Sequence, residues 1–200
     1  MTDDELVDRP ERWPVHASED IWRSGTPFAV RRDLVSAPGN DETFWRLVLE
    51  HPGAVVILAV DADERALVLR QYRHAAELRF VELPAGLLDQ PGEDPLQTAR
   101  RELLEEGGLE AGEWVHLNHI HNSPGFSSER IDIYLARDLR PADRGDFEPA
   151  HEEADMSVHW VPVDDLVHAV LHRRLTDGPL TTAVLTYALT RARDGREGRV

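Results

Sequence analysis

The chain contains no cysteine. That single absence excludes disulfides, thiolate zinc centres and cysteine nucleophiles. Long apolar runs are missing as well. The longest, Ala54 to Val60, is far short of the roughly 20 residues a membrane helix needs. Positive charge is scarce: 22 Lys and Arg stand against 38 Asp and Glu, for a net charge of −16. Such a surface repels phosphate backbones, so a nucleic-acid platform is disfavoured. A small anionic substrate stays open, provided local cations or metals meet it. The first residues, MTDDELVDRPERW, are acidic and polar, unlike a signal peptide. No internal repeat and no low-complexity segment interrupts the chain. These absences make a cytoplasmic protein, without membrane or nucleic-acid partners, the expectation.

What is present is enough for a real core. Two hundred residues, 41% of them hydrophobic, suit one well-cored domain or one domain with a small extension. Residues 1 to 18 are polar, carry Pro10 and Pro14, and read as a loose lead-in. Phe28–Ser36 and Thr43–Glu50 read as strands joined through the turn residues Pro38-Gly39-Asn40-Asp41. A β-rich subdomain over 1–52 and a main domain over 53–200 are therefore expected. Ala54–Val60 is continuous and β-branched, as in a strand buried on both faces. Further strands are expected at Ala66–Arg70, Phe80–Leu83, Trp114–Ile120, Ile131–Ala136 and Ser157–Val161. Helices are expected at Asp164–Arg173 and Thr181–Arg193. Mixed strands with one mid-chain helix and closing helices predict an α/β sandwich.

The mid-chain helix, Asp94 to Glu106, has complete punctuation. Asp94 suits the N-cap, Pro95 the first turn, and Gln97 closes a capping-box variant. Gly107-Gly108 stops it. Leu96, Ala99 and Leu103 form a core-facing stripe. On the other face Glu102, Glu105 and Glu106 lie at i, i+3 and i+4, so like charges crowd one patch. Two of them sit near the C-terminus, where the helix dipole disfavours anions. These local penalties ask for a cation, and an all-carboxylate set suits a hard ion such as Mg²⁺ or Mn²⁺. Arg101, four residues before Glu105, could hold that glutamate in place. A solvated acidic face is the competing reading in a chain this rich in Asp and Glu.

The wider run, GLLDQPGEDPLQTARRELLEEGGL from Gly86, resembles the Nudix box. The matching residues are Gly86, Glu93, Arg101, Glu102, Leu103, Glu105, Glu106, Gly108 and Leu109. One departure is an extra residue between Gly86 and Glu93. It falls in the Gln90-Pro91-Gly92 turn, where length changes are tolerated. The resemblance implies a Nudix-type α/β/α sandwich with a mixed sheet. It also implies a loop–helix–loop that holds divalent metal against a diphosphate. On that resemblance Glu102 and Glu106 are metal ligands, Glu105 stands close behind as ligand or catalytic group, and Ala85 offers its backbone carbonyl. Arg101 would orient a glutamate, and Glu93 would support the ligands from behind.

Substrate class has to come from outside the box. Ser123-Pro124-Gly125-Phe126-Ser127 sets a proline fifteen residues after Leu109, which is similar to the ADP-ribose pyrophosphatase branch. Gln71-Tyr72-Arg73, with Glu82-Leu83-Pro84-Ala85-Gly86, points the same way. The resemblance therefore implies cleavage of ADP-ribose to AMP and ribose 5-phosphate. Glu82, Pro124, Gly125 and Phe126 would bind substrate. Arg73 would meet a phosphate, and Phe28 would stack on adenine, across a homodimer interface if N-terminal strands swap. The bland alternatives are a surface arginine, a core phenylalanine and an ordinary Pro-Gly turn. His151-Glu152-Glu153-Ala154-Asp155 lies in a long polar loop, and by resemblance Glu153, or else Glu152, is the base and Glu153 a further metal ligand. His121 and His159 are taken as structural. Competing functions are hydrolysis of another nucleotide sugar or a dinucleotide polyphosphate, a catalytically dead nucleotide sensor, and a plain acidic interaction protein. Retention of all three box glutamates argues against the sensor.

Overall fold

The structure is a computed structural model describing residues 6–145 and 155–197. The chain forms two compact units. The first comprises residues up to His51 together with Ser123–Ser128, and the second comprises Pro52–Asn122 and the chain from Glu129 onward.

The first unit is a three-stranded antiparallel sheet of β1 (Val15–Arg23), β2 (Ala29–Ser36) and β3 (Thr43–Glu50), in that order. The β2–β3 hairpin forms as expected, with Ser36 opposite Thr43 and Ala29 opposite Glu50. Strand β1 takes up part of the expected lead-in; the resemblance implied an N-terminal strand ending at Phe28, and the strand ends instead at Arg23. It is exposed along its whole length, so it carries no burial pattern to read. Pairing with β2 defines it, helped by Arg32 on Glu19 at 2.5 Å and Ser18 on Asp33 at 2.7 Å. Ser123–Ser128 joins this unit through Leu49, whose N–H donates to Phe126 O at 2.9 Å and whose carbonyl accepts from Ser128 N at 3.0 Å.

The second unit holds β4 (Ala54–Ala59), β5 (Arg65–Arg73), β6 (Leu78–Glu82), β7 (Ala85–Leu87), α1 (Pro95–Gly107), β8 (Leu109–Ile120), β9 (Ile131–Pro141), β10 (Ser157–Pro162), α2 (Val163–Leu171) and α3 (Gly178–Glu197). Strands β7-β4-β9-β8 make a mixed sheet, parallel only between β4 and β9. Strands β10-β5-β6 make a second, antiparallel one. Strand β4 is buried on both faces, as its sequence predicted. Val56, Leu58 and Val60 face one cluster, with Val163 and Leu166 of α2 and Leu180, Ala183 and Val184 of α3. Val55, Ile57 and Ala59 face the other, with Ala99 and Leu103 of α1. Helices on both faces give the expected α/β layering. Burying each of the Val, Leu and Ile side chains contributes roughly 1.5–3 kcal/mol, so Leu103, with Ala99 beside it, fixes α1 to the sheet.

Candidate active site

Helix α1 starts and stops where its sequence says. Asp94 Oδ1 accepts from Gln97 N, and Gln97 Oε1 accepts from Asp94 N, both at 2.9 Å. That reciprocal box satisfies two donors the first turn would leave open. At the other end Gly108 takes the left-handed conformation at φ 63° and donates to Leu104 O at 2.9 Å.

The short strand β7 brings the backbone to this helix. Gly86 lies opposite Val55 and Ala85 opposite Val56, while Ile57 N donates to Pro84 O at 2.8 Å. The Ala85 N–H donates in turn to Glu106 Oε2 at 2.9 Å, which ties the last turn of α1 to the strand. Glu106 is buried, at 6% exposure. A Cβ at Gly86 would overlap the carboxyl end of Glu102, so only glycine leaves that carboxylate its place beside the strand.

The crowding of like charges is relieved mainly by one arginine. Arg101 Nη1 donates to Glu102 Oε1 at 2.7 Å and to Glu105 Oε2 at 2.9 Å, and its Nε faces Glu93 Oε1 at 3.3 Å. Thr98 Oγ1 holds the other Glu93 oxygen at 3.0 Å. Burial alone would lower the Arg101 guanidinium, but Glu102, Glu93 and Glu105 together hold it above its ordinary value. Arg101 therefore touches Glu102, Glu105 and Glu93, and Glu93 is held from its other side by Thr98.

Among the described residues, no group of three or more acidic or histidine side chains is gathered as a metal cluster. Glu102 and Glu105 turn to Arg101, while Glu106 turns to Ala85. The donor set still suits a hard divalent cation: carboxylate oxygens beside a backbone strand, at a glycine that leaves room for one of them.

At the edge of the second sheet, Arg73 and Glu82 form a two-pronged pair, with Nη2 to Oε2 at 2.6 Å and Nε to Oε1 at 3.0 Å. Glu82 is buried at 7% exposure. The hydrogen bonds to Glu82 raise the Arg73 guanidinium, and the charges of Glu106 and Asp177 add to the effect. Arg73 is thus no free surface arginine; it is paired across β5 and β6 with Glu82.

Asp177 was missed by sequence reading. It caps α3, its Oδ1 accepting from Leu180 N at 2.8 Å. The Asp177-Gly178-Pro179 run was a legible cap, but the helix was expected only from Thr181. Burial pushes the Asp177 carboxyl up to about 6, the Leu180 N–H opposes this, Glu82 raises it further and Arg73 draws it back.

The remaining site candidates divide between the units. In the first, the half-buried Phe28 ring meets His51 edge-on at 5.0 Å. Pro124 and Gly125 lie in a turn closed by Phe126 N on Ser123 O at 3.0 Å, and the Phe126 side chain is exposed. In the second, His121 Nδ1 bonds Glu129 O at 3.0 Å and His159 Nε2 bonds Ser157 Oγ at 2.9 Å. Glu152 and Glu153 lie outside the described residues.

Residues 50–181 match the NUDIX domain family, and the chain belongs to that family. Its enzymes generally use divalent metal ions. The chain is 43% identical over 168 residues to the ADP-ribose pyrophosphatase of Mycobacterium tuberculosis, covering 84% of this chain and 80% of that one. It is 32% identical over 168 residues to the ADP-ribose pyrophosphatase of Bacillus subtilis, covering 84% and 88%. A crystal structure of an ADP compounds hydrolase superposes with a TM-score of 0.72 at 24% identity, over 97% of this chain and 100% of that one, which shows the fold.

Proposed function

We propose that this chain is a Nudix pyrophosphohydrolase that cleaves ADP-ribose to AMP and ribose 5-phosphate. The observation that carries the reading is its likeness, over 84% of its length, to an ADP-ribose pyrophosphatase. The intact set Glu102, Glu105 and Glu106, with Glu102 and Glu106 beside the Ala85–Gly86 strand and Glu105 on Arg101, supports it.

A diphosphate diester carries two negative charges and repels an approaching hydroxide. Mg²⁺ or Mn²⁺, held by Glu102, Glu105, Glu106 and the Ala85 carbonyl, would neutralise that charge and lower the pKa of a bound water. The chain's own residues do the rest. Arg101 holds Glu102 and Glu105 ready in the absence of metal. The Ala85 N–H fixes Glu106. Arg73, oriented by Glu82, presents guanidinium donors to a phosphate. Glu153 is assigned as the base and further ligand, with Glu152 as second choice. It takes a proton from water as the new P–O bond forms and the bond to the other phosphate breaks, a contribution of about 10²–10⁴ in rate. Phe28, Pro124, Gly125 and Phe126 are assigned to the nucleoside and sugar ends.

The reading includes a homodimer built on the first unit. Trp22, Trp45 and Leu47 are exposed on one face of its sheet, apolar and aromatic side chains that a second copy could cover. It also includes a cytoplasmic location and a small-molecule partner. No described helix is long and apolar enough to cross a membrane.

The test is incubation with ADP-ribose, ADP-glucose, GDP-mannose, UDP-glucose, NADH and diadenosine polyphosphates, with Mg²⁺, Mn²⁺ or EDTA, and product analysis by chromatography. AMP released fastest from ADP-ribose and abolished by EDTA supports the reading. Faster cleavage of another member of the panel moves the specificity. Nucleotide binding without cleavage of any member refutes the enzyme and favours a sensor.

A further inference from the structure

At the end of α1 away from its three glutamates lies a cavity of about 460 Å³. From Pro95 to Glu105 the helix rises about 15 Å, so the cavity is a separate place. Pro52, Leu88, Pro95 and the Tyr134 ring give it flat apolar walls. Its polar side is built on one buried group. Asp132, 5% exposed, accepts at Oδ1 from His116 Nε2 at 2.9 Å and from Arg130 Nη2 at 2.8 Å. All three residues line the cavity. His116 stands opposite Tyr134 in the β8–β9 ladder, sets its ring edge-on to the tyrosine at 5.2 Å, and reaches back to Asp132. A bulge in β8 follows His116 at once, and bulges re-aim side chains. Among the described residues, Oδ2 of Asp132 takes part in no hydrogen bond. A buried carboxylate with one oxygen left over calls for an N–H donor. Arg130 is exposed and commits only Nη2 to Asp132, so Nε and Nη1 remain for an anion.

We propose that this cavity is a binding site for a nucleoside monophosphate whose base carries an amino group. The base lies between the proline, leucine and tyrosine walls. Its amino group donates to Asp132 Oδ2, and its phosphate meets the remaining Arg130 donors. His116 holds Asp132 in place and acts as a positioning residue. Apolar walls with a few placed polar groups, in a volume between about 300 and 1,000 Å³, are the usual make-up of a small-molecule pocket. The net charge of −16 disfavours ligands with more negative charge, and one phosphate is what one arginine can meet. The site does not depend on the reaction at the other end of the helix.

Calorimetric titration of the full chain in EDTA with AMP, adenosine and purine riboside monophosphate tests this. The last lacks only the amino group, so it probes Asp132 without disturbing a buried ion pair. Wild type should bind AMP at least about tenfold more tightly than either relative, the weight of one charge-assisted hydrogen bond. R130Q should lose a similar factor for AMP. R73Q, changed at the proposed diphosphate site, should bind AMP as wild type does. The ring proton signals of His116, assigned with H116Q, should shift when AMP is added to wild type. AMP binding that survives R130Q but is lost in R73Q would put the nucleotide at the other end of α1 and overturn the proposal. Equal affinity for AMP and purine riboside monophosphate would do the same, as would His116 signals that stay still. Turnover of ADP-ribose is measured separately and decides only the proposed function, so the two readings fail independently.

Discussion

The carboxyl group of Glu102 occupies the volume that a side chain at Gly86 would need. The glycine is required by contact, since its backbone is not in the left-handed region. A methyl group there has to push the glutamate away from the strand and from Arg101. G86A should fold, because Glu102 is a movable side chain. It should nonetheless lose about 10- to 100-fold in metal affinity or turnover, the usual cost of disturbing how a ligand is held. Metal titration of activity, read beside the melting temperature, checks this. Unchanged kinetics would mean that the position of Glu102 is unimportant.

Arg101 holds Glu102 and Glu105 and faces Glu93, so removing it should expose the repulsion it relieves. R101Q is expected to melt lower than wild type in EDTA, and to regain part of the difference when Mg²⁺ is added, since a cation can replace a cation. Calorimetry with and without metal gives the answer. A variant as stable as wild type in EDTA would show that the carboxylates separate without help.

How much of this was legible depended on where the information lies in the chain. Helix α1 could be read almost to the residue because its cap, its proline, its stop and its apolar stripe are all local. The box glutamates were legible as a motif, and β4 as a strand buried on both faces. Strand β1 was not, because every residue from Val15 to Arg23 is exposed and only pairing with β2 makes it a strand. The short β7 was missed for a related reason: three residues carry no period. The state of the glutamates was hidden too. Their spacing said they would crowd together, but not that Arg101 and the Ala85 N–H would divide them. The Asp177 carboxyl is pushed up by burial and by the charge of Glu82, which sits on a strand far earlier in the chain, and no local pattern reports such a neighbour.

Glu106 gives the sharpest test of the site itself. E106Q keeps an oxygen able to accept from the Ala85 N–H at the same place, so the link between α1 and β7 should survive. Turnover should fall by orders of magnitude, because a neutral amide is a poor ligand for a hard cation. A circular dichroism spectrum and melting point near wild type, with product formation lost, would separate chemistry from folding. Near-normal turnover would remove Glu106 from the site.

Two carboxylates should pull the pH dependence of stability in opposite directions. Burial would raise Glu64, but hydrogen bonds from Tyr187, Arg137 and Arg191 overcome it and hold the group below its ordinary range. Its contribution is therefore present above the unfolded-state value and is lost as pH falls through the folded one. Asp177 is the reverse. Its folded value lies near 6 against 3.8 for the unfolded chain. Below 3.8 both states hold the proton, and its contribution is fully present. As pH rises through 6, the folded state pays for an ionised, buried group, up to about 3 kcal/mol at 1.4 kcal/mol per pK unit. D177N should then match wild type in stability near pH 4 and exceed it at pH 7. E64Q should instead fall below wild type at pH 7, with the gap closing in acid. Urea melts of the three proteins between pH 4 and 7 measure both differences. A gap between D177N and wild type that does not change with pH would mean that Asp177 ionises as freely in the folded chain as in the unfolded one.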